Sequence, residues 1–253
     1  MTLLAVERIK LFSTRSPWAC IAIALVTALG FSALVVGTVP EDFEFGIGMT
    51  QVGIEFGLAI IMVLGALAIT TEYRFNTIRT SFQAVPNRSS LLLAKTAVVS
   101  LVAAVVGLVA AFGAWGLGYL IDPGPHLALN TAADWRNVAG ASLIFGLAAA
   151  IAVSVGVLIR HTAGATALVL LYSQVLEPMV QLIPNIGADI HQWMPFNVAR
   201  NFLAGGAERP AAAAGGPPEP IAALSPWWSL AYFAAFAAVI LTAALVTAKR
   251  RDA

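Results

Sequence analysis

The sequence predicts an all-α membrane protein with six transmembrane helices in one domain that spans residues 1–253. Hydrophobic residues make up 59% of the chain, charged residues make up 11%, and the mean hydropathy is +0.85. A soluble globular domain carries about 25% charged residues. The apolar residues also fall into runs close to the roughly 20 residues that a helix needs to cross a bilayer. The predicted spans are 18–39, 54–71, 91–120, 138–159, 165–182 and 226–247.

The segment before the first span predicts a helix that lies at the membrane interface. Residues 1–17 carry Arg8, Lys10 and Arg15 among apolar residues, although the apolar face is imperfect. The apolar run that follows is too long for the core of a signal peptide and ends without a small-residue cleavage site. We therefore expect a cytoplasmic interfacial helix that leads into the first span.

The distribution of Lys and Arg predicts the orientation, because cytoplasmic loops are enriched in these residues. With the amino terminus inside, 11 of the 14 basic residues are cytoplasmic, and only Arg136, Arg200 and Arg209 are outside. We therefore expect a multi-pass protein of the cell inner (plasma) membrane with both termini in the cytoplasm. The net charge of +1 gives no basic field for nucleic acid.

One polar, basic segment separates the second and third spans. On a helix, Phe75, Ile78, Phe82 and Val85 fall on one face, and Thr77, Thr80 and Ser81 are among the polar residues opposite, which predicts an amphipathic helix over 72–86 on the membrane surface. Pro86 is expected to end this helix.

This segment resembles the coupling helix in permease subunits of type-2 ABC exporters. The likeness is carried by Glu72-Tyr73-Arg74 directly after a span, then Thr77-Ile78-Arg79, a turn with Pro86 and Arg88, and Lys95 at the start of the next span. The resemblance implies that a separate ATPase subunit, which binds ATP and Mg, contacts the chain here. The residues implied in this contact are Glu72, Tyr73, Arg74, Phe75, Thr77, Ile78 and Arg79.

The long connection 183–225 has two parts. Residues 189–203 are too apolar for a solvated loop and predict a short helix that re-enters the outer leaflet, as is common in the resembled family between spans five and six. Residues 204–220 are rich in Ala, Gly and Pro and predict a linker.

Two carboxylates, Glu55 and Glu177, lie within the predicted spans, where an ionised acid is costly. Gln174, Glu177 and Gln181 are spaced to form one polar stripe on span five, and Pro178 is expected to kink it. In the resembled family, spans two and five line the path between two permease halves. The stripe is thus expected either to line this translocation path or to form hydrogen bonds at a dimer seam.

Small residues predict where helices approach closely. Gly53 and Gly57 form a GxxxG pattern on span two, and Gly146, Ala150 and Ser154 form a ladder of small residues on span four.

The sequence contains no G-x-x-x-x-G-K-[ST] loop for ATP phosphates and no nucleophile–base or H-E-x-x-H pattern. We therefore expect no catalytic residue, metal site or cofactor in this chain. The favoured function is an exporter permease subunit whose partners are an ATPase subunit, a second permease copy or a homologous permease, and the lipid bilayer. Two alternatives remain: an ion-coupled carrier that uses Glu55 and Glu177, and a non-transporting membrane scaffold or immunity protein.

Overall fold

The computed structural model describes residues 3–40, 45–85, 87–205 and 223–251, and within these ranges all regular structure is helical. Six segments of the described chain are long and apolar enough to cross a membrane, which confirms a multi-pass membrane protein with six candidate spans. These segments are Arg15–Gly37, Ile54–Arg74, Arg88–Ile121, Ala132–Ile159, Thr162–Val180 and Pro226–Arg250.

The helices follow the predicted order with short elements between the spans. In chain order they are α1 (Leu3–Phe12), α2 (Arg15–Gly37), α3 (Ile47–Thr50), α4 (Ile54–Arg74), α5 (Thr77–Ala84), α6 (Arg88–Ile121), α7 (Ala132–Ala139), α8 (Ala141–Ile159), α9 (Thr162–Leu171), α10 (Glu177–Val180), α11 (Gly187–His191), α12 (Pro195–Ala204) and α13 (Pro226–Arg251). A 3₁₀ turn, Pro125–Leu127, precedes α7, and a π-helical turn, Tyr172–Leu176, joins α9 to α10.

The fourth span begins earlier than its apolar run predicts. Thr131 and Asp134 form a capping box, in which the Thr131 hydroxyl accepts from Asp134 N and the Asp134 carboxylate accepts from Thr131 N. This reciprocal pair satisfies two backbone donors and starts α7 at Ala132. α7 and α8 meet at Gly140, whose backbone angles are helical and where a Cβ would lie 2.8 Å from the Phe202 ring. The helical segment therefore begins six residues before the predicted span start at residue 138.

The core of the bundle is built around α8, which contacts α4, α6, α9 and α13. In the most apolar 18-residue stretch of the span that contains α8, 56% of the residues are buried, compared with 17% in the corresponding stretch of α13. The buried face of α8 is rich in small residues, which allow the neighbouring backbones to approach. At Gly146 of the predicted ladder, a Cβ would lie 3.3 Å from the Ser100 carbonyl oxygen on α6.

The GxxxG pattern on the second span marks a close crossing with the first. A Cβ on Gly53 would overlap the carbonyl oxygen of Ala28, and a Cβ on Gly57 would lie 3.1 Å from the carbonyl oxygen of Ala24. Gly53 N also donates to Ser32 Oγ at 3.2 Å. The prediction of close helix contact at these glycines is confirmed.

The connection between spans five and six contains two short helices, α11 and α12, where one short helix is predicted. α12 packs against α13 and α7, and the rings of Phe196 and Phe233 meet at 5.5 Å. Most of the predicted linker at 204–220 lies outside the described residues, as does Pro86.

The alternation of the spans gives the bundle two ends. One carries α1, α5, the α8–α9 turn and the end of α13, and we call it the basic end. The other carries α3, α7, α11 and α12, and we call it the opposite end.

Candidate functional site

The junction between α4 and α5 lies at the basic end, where the coupling helix is expected. α4 continues through Glu72, Tyr73 and Arg74, and Asn76 then adopts a left-handed backbone conformation with φ of 57°. Asparagine tolerates this conformation better than most residues. The helix predicted as one element over 72–86 is therefore divided: Glu72, Tyr73 and Arg74 extend the second span, and α5 begins at Thr77.

The apolar face of α5 packs against the protein itself. Ile78 is buried, and Phe82 and Val85 are partly buried against the hydrophobic core. Phe75 is not part of α5 and is 67% exposed. The polar residues Thr77 and Thr80 remain exposed, as predicted from the amphipathic pattern. The surface that α5 offers to a partner is thus its polar face together with the neighbouring ring of Phe75.

Four charged side chains join the basic end into one cluster, which we call the basic-end cluster: Glu7, Lys10, Glu72 and Lys95. Lys95 Nζ lies 2.5 Å from Glu7 Oε2 and 2.8 Å from Glu72 Oε1. Lys10 Nζ lies 3.0 Å from Glu7 Oε1 and 3.8 Å from Glu72 Oε1. Two carboxylates are therefore matched by two ammonium groups.

The basic-end cluster is largely removed from solvent and connects four elements. Glu7 and Lys95 are only 3% and 5% exposed. Lys10 also donates to Ser81 Oγ on α5 at 2.9 Å, so Ser81 faces the protein instead of the polar side where the pattern put it. Through these contacts α1, α4, α5 and α6 are held together. Glu72 is thus engaged inside the chain.

The other residues implied in the ATPase contact lie around the same junction. The Arg160 guanidinium stacks over the Tyr73 ring at 5.0 Å, and the Arg74 guanidinium lies 5.5 Å from the centre of the Phe75 ring. Arg79 is on α5, and its side chain lies outside the described part of the structure.

At the opposite end, Glu177 is fully buried and binds the amino terminus of α12. Its Oε1 accepts from Phe196 N at 3.1 Å, and its Oε2 accepts from Asn197 N at 3.0 Å. These are two of the backbone donors that the first turn of a helix leaves without an intrahelical partner. A residue of the fifth span therefore caps the short helix of the following connection.

The structure separates the predicted polar stripe into two faces. Gln174 and Gln181 are exposed, whereas Glu177 is buried. The π-helical turn Tyr172–Leu176 contains i→i+5 hydrogen bonds, so the spacing that aligns Gln174 with Glu177 on a regular α-helix does not hold. The turn lies directly before Pro178, where a kink is predicted.

Glu55 lies at the start of α4, at the same end of the bundle. Its side chain is 50% exposed, and its Oε1 lies 3.5 Å from Arg200 Nη1 on α12. An exposed pair at this distance contributes little to stability, about 0–1 kcal/mol. Arg200 nevertheless brings α12 towards the second span, while Glu177 attaches it to the fifth.

Neither end can be assigned by comparison with known proteins. No known family model matches the chain, and no curated protein matches it. The functional assignment therefore depends on the sequence pattern and on the contacts at the two ends.

Sequence reasoning missed Glu7, Arg200 and His191 as site residues. Glu7 is the only acid in the segment before the first span, and this isolation among basic residues was a usable signal. Arg200 and His191 gave none, because the folding of the connection after α10 brings Arg200 to Glu55 and buries His191.

Proposed function

We propose that this chain is the membrane-spanning permease subunit of an ATP-binding cassette exporter. Its six spans form one half of a translocation path that is completed by a second copy or a homologous permease. A separate ATPase subunit, which binds ATP and Mg, supplies the energy from the cytoplasm. In this proposal the basic end is cytoplasmic, so both termini lie in the cytoplasm at the inner (plasma) membrane.

The observation that carries the proposal is the attachment of α5 to the spans. Its inner face packs on the core, and the basic-end cluster connects it to α1, α4 and α6 through Lys10, Glu72 and Lys95. A push on the exposed face of α5 would therefore be transmitted to the second and third spans together. A surface loop without a partner has no need for this rigid support.

The polar groups at the opposite end support the second half of the proposal. Glu55, Gln174 and Gln181 are exposed on or next to the second and fifth spans, and these spans contact each other through α4 and α9. Ionised carboxylates are costly in lipid, and buried polar groups need partners. We therefore expect a second permease or a water-filled path to cover these residues.

The carrier alternative is less favoured. A proton site must exchange protons with water, whereas Glu177 is fully buried and both its carboxylate oxygens accept backbone hydrogen bonds. Glu55 is accessible, but on its own it offers one exposed acid paired with Arg200.

The proposal is tested at Phe75, because its exposed ring can be removed without opening the core. We expect Phe75→Ala to leave folding and membrane insertion unchanged, to reduce recovery of the ATPase subunit about tenfold, and to lower ATP-driven transport. Truncation of a central aromatic contact commonly costs 2 kcal/mol or more, so about tenfold is a modest expectation.

Leu182→Ala is the matched control, because Leu182 is 77% exposed but lies after the fifth span at the opposite end. It should not change recovery of the ATPase subunit. If Phe75→Ala recovers the ATPase as well as the wild-type chain and transports normally, the junction of α4 and α5 is not the ATPase contact and the scaffold function becomes the better proposal.

A further inference from the structure

The buried and exposed sides of α1 differ in charge. Glu7 is buried in the basic-end cluster, where Lys10 Nζ lies 3.0 Å from its Oε1. Arg8 on α1 and Arg15 in the first turn of α2 are exposed, and among the described residues neither side chain forms an ion pair or a hydrogen bond. Folding therefore separates the charges of this segment: the acid is turned inwards and the two arginines are turned outwards.

The acids that the described residues place at the basic end do not balance these arginines. These acids are Glu7 and Glu72, and both contact Lys95, at 2.5 Å and 2.8 Å. Lys10 provides the second ammonium group, so the basic-end cluster neutralises both carboxylates within the protein. The exposed side of α1 therefore has an excess of positive charge.

Large apolar side chains lie on the same exposed side. Leu4, Ile9 and Trp18 are 51%, 53% and 58% exposed. Leu11, on the other side of α1, is buried in the core, so α1 has two apolar sides and its apolar face is imperfect in the sequence. The Trp18 ring packs on the Phe12 ring at 5.1 Å, and its Nε1 donates to the Phe12 carbonyl oxygen at 3.3 Å. These contacts fix the corner between α1 and α2.

We propose that this surface, formed by Leu4, Arg8, Ile9, Arg15 and Trp18 and here called the α1 surface, binds anionic phospholipids of the leaflet at the basic end. Leucine and tryptophan beside arginine are typical of helices that lie in the membrane interface. Each basic residue near an anionic leaflet strengthens binding about fivefold. A membrane fits better than a soluble partner, because Arg15 and Trp18 lie in the first turn of a span.

The test uses the full chain in lipid nanodiscs and follows amide hydrogen exchange in α1. One set of discs contains phosphatidylcholine alone, and the other contains phosphatidylcholine mixed with phosphatidylglycerol of the same acyl chains. We expect exchange in α1 to be about tenfold slower in the discs with phosphatidylglycerol, because the two arginines hold α1 on the anionic surface. Exchange in α8, at the core of the bundle, should be equal in the two kinds of disc.

The double variant Arg8→Gln with Arg15→Gln should remove most of this difference, because both charges are lost. Arg8→Lys with Arg15→Lys keeps the charges and should keep the difference. Lys249→Gln with Arg250→Gln is the control for net charge: both residues are exposed at the same end, but they lie on α13, whereas α1 packs mainly against α6. It should also keep the difference. All these side chains except that of Glu7's cluster are exposed, so each variant should unfold in uncharged detergent at the wild-type temperature.

Equal exchange of wild-type α1 in the two kinds of disc would overturn the proposal. So would a difference that Arg8→Gln with Arg15→Gln retains, or one that Lys249→Gln with Arg250→Gln removes to the same extent, since charge on α1 would then not be its cause. If α1 exchanges equally in both discs and Arg8→Gln with Arg15→Gln loses the ATPase subunit, the α1 surface is a protein contact. Neither ATP nor transport enters the lipid measurement, so its failure would leave the transporter proposal to the test at Phe75.

Discussion

The two ends of the bundle bury carboxylates in different ways. At the basic end, Glu7 and Glu72 are matched by the ammonium groups of Lys10, which is on α1 with Glu7, and of Lys95 on α6. At the opposite end, Glu177 is matched mainly by two backbone N–H groups of one helix. The first arrangement depends on the balance of charge among side chains. The second depends on a group that can accept two hydrogen bonds at a fixed position.

The largest effect is expected from Lys95→Met, which tests whether the basic end depends on charge balance. The substitution leaves two acids near a single ammonium group, Lys10, in a region where Glu7 is almost fully buried. Removal of one partner from a buried ion pair costs about 3–5 kcal/mol. We expect a loss of this order in the free energy of unfolding, measured by denaturant titration in detergent.

The double variant Glu72→Gln with Lys95→Met restores the balance, because the pair of Glu7 and Lys10 at 3.0 Å remains. It should be more stable than Lys95→Met alone, although it carries an additional substitution. If the double variant is the less stable of the two, the individual contacts of Glu72 matter more than the charge balance. The basic end would then not differ from the opposite end in depending on the balance of charge.

A smaller effect is expected from Glu177→Gln, which tests the opposite end. Glutamine has nearly the same shape, but its amide nitrogen cannot accept from a backbone N–H, so one of the Phe196 and Asn197 donors loses its partner. An unsatisfied buried donor costs about 1–3 kcal/mol. Hydrogen exchange should show increased opening of α12, while α8 at the core remains protected.

Leu182→Gln is a control for the added amide, because Leu182 is 77% exposed on the turn that follows α10. It should leave exchange in α12 unchanged. Equal protection of α12 in wild-type and Glu177→Gln chains would mean that packing of Phe196 and Phe202, not the carboxylate, holds this helix.

The spans could be predicted from the sequence because hydropathy and length depend on local composition. Five of the six span starts lie within about three residues of their predicted positions, and the exception, α7, begins at a polar capping box that hydropathy does not detect. The division at Asn76 was missed because a periodic pattern continues through a single left-handed residue.

The partners of the charged residues could not be predicted in the same way. Glu72 and Lys95 were recognised as parts of one motif, but their contact at 2.8 Å and the approach of Glu7 depend on how α1 packs against α6. The opposite end was harder still, because the π-helical turn moves Glu177 away from the face of Gln174. Tertiary packing decided both arrangements.

The smallest effect is expected from pH at His191, close to Arg200 at the opposite end. His191 is 4% exposed, and neither ring nitrogen has a hydrogen-bond partner among the described residues. Burial, together with the positive charge of Arg200, lowers the pKa of His191 below its usual value. The unfolded chain therefore binds a proton at His191 more readily than the folded chain. The contribution of neutral His191 to the free energy of unfolding is thus complete above a pH of about 6.5 and declines as the pH falls towards the folded pKa.

We expect His191→Phe, which stays neutral, to lose less stability than the wild type between pH 8 and pH 5. Glu177 is present in both chains, so its protonation affects both, and the difference between the two curves reports His191. Parallel curves would mean that His191 is protonated equally in the folded and unfolded chains.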